Sequence, residues 1–220
     1  MSSQGAVRSR QSGDLSLIET LRWEPEQGFL RLDQHLRRLK RSADALGFLS
    51  PAEPETALKL AVSGDRPLRV RLTVTYRGRT EVTTAPFGPE PEDKVWRLRI
   101  AAQRLSSSDA FLRHKTTRRD LYETARAEFS RDEADEVLLL NERGEVCEGT
   151  ITNLFVETDG GMLLTPALSS GLLPGILRAE LIREGKARSE VLKPATLANR
   201  RLFVGNALRG LIPAELVEGS

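Results

Sequence analysis

The sequence predicts an α+β protein built as two small domains. Hydrophobic spacing switches repeatedly between the period of two expected of strands and the 3.6 expected of helices. Tight turns such as Arg77-Gly78-Arg79 and Asn141-Glu142-Arg143-Gly144 join strand directly to strand, which a doubly wound parallel sheet does not do. A polar stretch with three consecutive serines, Ser106–Ser108, has the composition of a linker. With 220 residues, 39% of them hydrophobic, the chain can fill two cores. The expected division is a disordered lead-in over 1–14, a smaller N-terminal domain over 15–103, a linker over 104–110 and a C-terminal domain over 111–220.

In the first domain, Leu15–Trp23 carries alternating apolar and β-branched residues and reads as a strand. Glu24–Gly28 turns it into a second arm over Phe29–Leu32. From Asp33 the period changes: Leu36, Leu39, Ala43 and Leu46 fall on one helical face, with Asp33 as expected N-cap and Gly47 as stop. A second helix is expected over Pro54–Val62. Leu68–Tyr76 alternates strictly and reads as a half-buried strand, followed after the turn at Gly78 by a strand over Thr80–Thr84. The proline- and acid-rich segment Pro86–Asp93 is a loop before a strand around Val95–Ala101.

In the second domain, a helix is expected over Thr116–Ser130 and a buried strand over Glu136–Leu140. Asn153–Glu157 and Met162–Thr165 read as strands joined through Asp159-Gly160-Gly161. Pro174-Gly175 introduces a helix over Ile176–Arg183, and Leu202–Val204 is a last buried strand.

Composition narrows the chemistry. Charged residues make up 29% of the chain and nearly cancel, leaving a net charge of +2, so no basic field for nucleic acid is implied. Cys147 is the one cysteine and His35 and His114 are the two histidines, which argues against a disulfide framework, a cysteine-based zinc site and a histidine-rich metal site. No apolar run reaches the length of a membrane span or a secretory leader, so a cytoplasmic protein is expected. Lysines are few: Lys40, Lys59, Lys94, Lys115, Lys186 and Lys193 are the candidates for any lysine chemistry.

Glu148-Gly149-Thr150-Ile151-Thr152-Asn153-Leu154-Phe155 places a carboxylate, a glycine and two threonines ahead of an apolar strand. By residue type alone this is a hairpin arm with an acid. It resembles, however, the Glu-Gly-Thr-x-x-Asn-Leu-Phe signature of the class IV, fold-type IV pyridoxal-phosphate enzymes, which include branched-chain aminotransferases, D-amino-acid aminotransferases and aminodeoxychorismate lyases. The resemblance runs in chain order from about Leu15 to Ala214. His35-Leu36-Arg37-Arg38-Leu39 is similar to the family's His-x-x-Arg-Leu helix, Lys115 stands about thirty residues ahead of Glu148, Ser169-Ser170-Gly171-Leu172-Leu173-Pro174-Gly175-Ile176 resembles the family's Gly-x-x-x-Gly-Ile-Thr-Arg element, and Gly205-Asn206-Ala207-Leu208-Arg209-Gly210 resembles the terminal Asn-Ser-x-Arg-Gly loop.

The resemblance implies the D-amino-acid-aminotransferase-like two-domain fold, pyridoxal 5'-phosphate as cofactor and a homodimer. It makes Lys115 the lysine that carries the cofactor and the base of the reaction. Glu148 becomes the partner of the pyridine nitrogen, where a carboxylate keeps the ring protonated and electron-withdrawing. Arg38 becomes a phosphate ligand, since a planar guanidinium can meet two phosphate oxygens at once. Further cofactor contacts are implied for Asn153, for Ile176 and Leu177 at a helix N-terminus, and for Asn206 and Ala207. Leu177 and Ala207 stand where many members carry hydroxyl residues. Thr20 is a candidate for assisting proton transfer; Tyr122 is a candidate for touching the cofactor hydroxyl, although its spacing from Lys115 favours packing.

The His114-Lys115-Thr116-Thr117-Arg118-Arg119 string, with only Gly13-Asp14 for the family's usual opening, most resembles the lyase branch and its modules fused behind aminodeoxychorismate synthase, a possible partner. A lyase substrate with two carboxylates calls for fixed cations, and Arg118, Arg119 and Arg209 are the candidates. The rival readings are an aminotransferase acting on branched-chain or D-amino acids and a non-catalytic homologue.

Overall fold

Strict alternation in the N-terminal part produces a small antiparallel sheet. The computed structural model describes residues 15–91 and 93–217, so the lead-in expected over 1–14 lies outside the described residues. Two units divide the chain, one formed by residues up to 88 together with 114–118, the other by 89–113 and 119–220.

In the first unit, strands β1 (Ser16–Glu24), β2 (Gly28–Phe29), β3 (Leu68–Thr75) and β4 (Thr80–Pro86) pair antiparallel in the order β2-β1-β3-β4. Val70, Leu72 and Val74 of β3 share a face by the two-residue period and are fully buried. They pack with Leu17 and Leu21 of β1 and with helices α1 (Leu32–Leu46) and α2 (Pro54–Leu60), which contribute Leu39, Ala43 and Leu58. Each such aliphatic side chain contributes about 1.5–3 kcal/mol on burial. Helix α1 starts earlier than expected. Arg31, in the left-handed conformation at φ 59°, is its N-cap, and Asp33 sits inside the first turn, where its charge opposes the positive end of the helix dipole. Gly47 ends the helix at φ 71°, as its freedom to adopt left-handed geometry predicts.

Residues 114–118 lie along β1. Ile18 N–H donates to the Lys115 carbonyl at 2.8 Å and Thr117 N–H to the Ser16 carbonyl at 2.9 Å, forming a short antiparallel bridge at Leu17 and Thr116. The helix expected from Thr116 therefore begins only at Asp120. Backbone groups committed to β1 are not available to a helical ladder.

The second unit holds an eight-stranded mixed sheet of β5 (Trp96–Leu105), β6 (Glu136–Asn141), β7 (Val146–Gly149), β8 (Asn153–Glu157), β9 (Leu163–Pro166), β10 (Ala187–Glu190), β11 (Leu202–Asn206) and β12 (Gly210–Leu216), ordered β10-β9-β8-β11-β12-β5-β6-β7. β6 is buried along its whole length. Leu138 and Leu140 face one cluster, with Leu98, Leu154 and Val204, while Val137 and Leu139 face another, with Ala101, Leu105 and Ala125. Helices α3 (Asp120–Ala127), α4 (Ile176–Arg183) and α5 (Pro194–Leu197) complete the unit.

The boundaries differ from the expected ones. β5 runs unbroken through the predicted junction at 103/104, and the serines after it form a turn, with Ser107 N–H donating to Glu142 Oε2 at 2.8 Å. Serine-rich composition signalled a solvated linker, but here the hydroxyl-bearing residues satisfy a tight connection inside the unit.

Candidate active site

In the first unit the sheet turns an acid inward. Glu19 shares the core-facing side of β1 with Leu17 and Leu21, and is 1% exposed. A buried carboxylate needs compensating partners, and α1 supplies two from one face, three residues apart. Arg38 donates from Nε to Oε1 at 2.8 Å and from Nη2 to Oε2 at 2.6 Å, while His35 Nδ1 lies 2.7 Å from Oε2. Burial pushes the Glu19 pKa upward, but the charge and hydrogen bonds of Arg38, helped by His35, outweigh it and hold the carboxyl at about 2. His35 is held below its ordinary range by burial, with Glu19 opposing and the positive charges of Arg38 and Lys115 reinforcing the shift. A neutral imidazole donating from Nδ1 fits, and its buried Nε2 has no hydrogen-bond partner among the described residues.

The Glu19–His35–Arg38 cluster was not anticipated as a unit. The available signal was an acid at a core-facing strand position together with His and Arg at i, i+3 spacing on a buried helix face. Two of the five N–H groups of Arg38 are committed to Glu19. Lys115 is half-buried in the same unit, its backbone fastened to β1. Thr20 is half-buried on β1 opposite Arg71.

In the second unit Glu148, at the end of β7, is buried and accepts from Tyr122 Oη at 2.7 Å and from Leu173 N–H at 3.1 Å. Burial and the negative charge of Glu148 push the Tyr122 phenol well above its ordinary range, so it remains a donor. Tyr122 packs against the cluster of Val137 and Leu139, as expected, and its hydroxyl in addition donates to this acid. Buried Arg178 feels Glu148 as well: burial lowers its pKa to about 10, against the raising effect of that carboxylate.

Asn153 donates from Nδ2 to the Leu173 carbonyl at 3.1 Å, and its Oδ1 occupies the space where a Cβ on Gly175 would fall, at 1.9 Å. Asn153 therefore braces the entry to α4, a packing that requires glycine at 175. Ile176 and Leu177 open α4 after an extended Gly175 that provides no side-chain cap, so the first-turn N–H groups lack intrahelical acceptors and favour an anion. Their side chains are buried, with Leu177 packed beside Phe155 and Leu181. Asn206 Oδ1 accepts from Leu208 N–H at 3.1 Å and Arg209 N–H at 3.0 Å, folding the loop that carries half-buried Ala207.

The three candidate substrate cations differ. Arg118, in the first unit, is exposed. Arg119 donates to the Thr150 carbonyl at 2.6 Å and lies over the Tyr122 ring, 4.9 Å from its centroid. Arg209 pairs with Glu90 at 3.2 Å and approaches Trp96.

Each unit by itself holds groups whose chemistry suits a phosphorylated pyridine: a half-buried amine and a partly committed guanidinium in the first, a buried acid and uncapped helix amides in the second. The sequence model for amino-transferase class IV matches residues 16–217. The chain belongs to that family. Pyridoxal 5'-phosphate is its cofactor, and small molecules are its substrates. Within the family, a Schizosaccharomyces pombe protein provisionally named aminodeoxychorismate lyase is 32% identical over 212 residues, covering 92% of this chain and 90% of that one. A Mesorhizobium loti crystal structure, provisionally named an amino-acid aminotransferase, superposes with a TM-score of 0.90 at 51% identity, covering 93% of this chain and all of the other. A Thermotoga maritima protein provisionally named a branched-chain-amino-acid aminotransferase is 33% identical over 182 residues, 78% of this chain but 64% of the longer relative. The family and the solved relatives carry the expected fold and cofactor, and the family is one of enzymes.

Proposed function

We propose that this chain is a 4-amino-4-deoxychorismate lyase, producing 4-aminobenzoate and pyruvate. The observation that carries the reading is its collinear similarity to the S. pombe protein over nine-tenths of both chains. In net terms the ring C–O bond to the enolpyruvyl group breaks, the proton on the amine-bearing ring carbon departs, and the enolate released takes up a proton on its methylene carbon to become pyruvate. Aromatisation of the ring drives the elimination.

When bound, pyridoxal phosphate supplies an electron sink for that carbon. In this proposal Lys115 holds the cofactor and moves the proton, and Glu148 faces the ring nitrogen. Arg38, the amides of Ile176 and Leu177 and the Asn206–Ala207 loop hold the phosphate; Thr20 assists the proton. Arg118, Arg119 and Arg209 orient the two substrate carboxylates, the latter two by exchanging carbonyl or Glu90 contacts for substrate. A homodimer is part of the same proposal.

Amino-group transfer is the second reading, favoured by the 51% identity to the M. loti protein. Incubating the pyridoxal-phosphate-loaded protein with aminodeoxychorismate, beside an assay with amino acids and 2-oxoglutarate, separates the two. Stoichiometric 4-aminobenzoate and pyruvate are expected. Glutamate formation without 4-aminobenzoate overturns the lyase reading.

A further inference from the structure

Glu136, at the start of β6, is fully buried, and among the described residues no cation pairs with it. Its carboxylate is surrounded by donors. Oε1 accepts from Val137 N–H at 2.9 Å, Thr150 N–H at 3.0 Å and Thr150 Oγ1 at 2.6 Å; Oε2 accepts from Ile151 N–H at 3.1 Å and Thr152 Oγ1 at 2.8 Å. Four of these five donors belong to the turn that follows Glu148. The turn also closes on itself, with Gly149 N–H donating to the Thr152 carbonyl at 2.8 Å.

We propose that Glu136 is the positioning residue of this site, its carboxylate gathering the Gly149–Thr152 turn and thereby setting the place of Glu148. The inference rests on the reading of Glu148 as the acid facing the cofactor ring. A carboxylate is required because backbone N–H groups converge on both oxygen positions and cannot turn away, whereas an amide offers one acceptor and one donor. Gly149 fits the same account: a Cβ there would lie 2.7 Å from Glu136 Oε2 and 2.5 Å from Thr152 Oγ1, so the turn approaches the carboxylate as closely as only glycine permits. Thr150 and Thr152 then serve as donors to Glu136, which explains hydroxyl residues at those two points of the motif. Glu148 immediately precedes the turn, and its contacts to Tyr122 and Leu173 tolerate little displacement of its backbone.

The test compares Glu136→Gln with Glu148→Gln, both loaded with pyridoxal phosphate, beside amide hydrogen exchange in the cofactor-free protein. Glu136→Gln should speed exchange at Thr150 and Ile151 roughly tenfold or more. It should also move the cofactor's visible band and its pH dependence in the same direction as Glu148→Gln, though less far, and lower kcat on the order of tenfold with little change in KM. If Glu136→Gln does not fold, Thr152→Val, which deletes one donor, replaces it and is judged by the same criteria. A parent-like band and kcat in the Glu136 or Thr152 variant, beside an altered Glu148→Gln, overturns the positioning role alone and leaves a structural one. A parent-like Glu148→Gln overturns the underlying reading of Glu148 and the inference with it.

Discussion

At the scale of single residues, the acids and bases of the site are distinguished by what surrounds them. Lys115→Ala should lose both the visible band of bound pyridoxal phosphate and the borohydride-reducible covalent adduct; an adduct retained on another lysine counts against the assignment. Tyr122→Phe removes a hydrogen bond to a buried acid, worth about 1.5–3 kcal/mol for a charged acceptor. At about 2–4 °C per kcal/mol for a chain of this size, Tm should fall by several degrees, measurable by calorimetry. The two positions that lack the family's hydroxyl should respond oppositely. Ala207 is half-buried in a loop, and Ala207→Ser should tighten cofactor binding by roughly fivefold, the worth of about 1 kcal/mol. Leu177 is packed into a cluster with Phe155 and Leu181, so Leu177→Thr should cost about 2 kcal/mol or more in folding stability. Dialysis and absorbance for affinity, with urea melts for stability, resolve the contrast; a Leu177→Thr variant as stable as the parent would refute the packing explanation.

At the scale of elements, β1 and α1 are joined through the Glu19–His35–Arg38 cluster, and that joint titrates. A buried histidine held below its ordinary 6.5 resists a proton that the unfolded chain accepts, so its contribution is present above pH 6.5 and declines as pH falls below it. Glu19, held at about 2 against an ordinary 4.5, contributes above 4.5 and loses that contribution as pH falls toward 2. Both signs agree: acidification weakens this joint in two stages. Urea midpoints measured at pH 7, 5.5 and 4 should decline, and His35→Gln should flatten the first stage while leaving the second. A parent protein equally stable at pH 7 and 5.5 contradicts the buried neutral histidine. Legibility differed sharply among elements. The hairpins around Gly78 and Gly144 and the α1 helix were readable because turn residues and apolar spacing act over a few positions. The extension of β5 through Leu105 and the β1 bridge at Lys115 were not, because each depends on a partner strand far away in the chain.

For the molecule as a whole, cofactor binding should add stability by mass action, about 2.7 kcal/mol at a hundredfold excess over Kd, hence a rise in Tm of several degrees. Differential scanning fluorimetry with and without pyridoxal phosphate measures it, and a Tm indifferent to the cofactor in the parent would argue against specific binding. The motifs that carry the family resemblance were visible before any coordinates: Lys115, Glu148, His35 with Arg38, and the Gly175-Ile176-Leu177 helix start are recognised through the residues beside them in the chain. What holds those groups was not visible. Glu19 reaches Arg38, Tyr122 reaches Glu148, and Glu136 reaches Thr150 and Thr152 only after strands and helices distant in sequence have packed. The physical reason is that a polar side chain finds its partner through the cost of losing water. That cost is set by burial and by three-dimensional approach, which a one-dimensional pattern of residues does not contain.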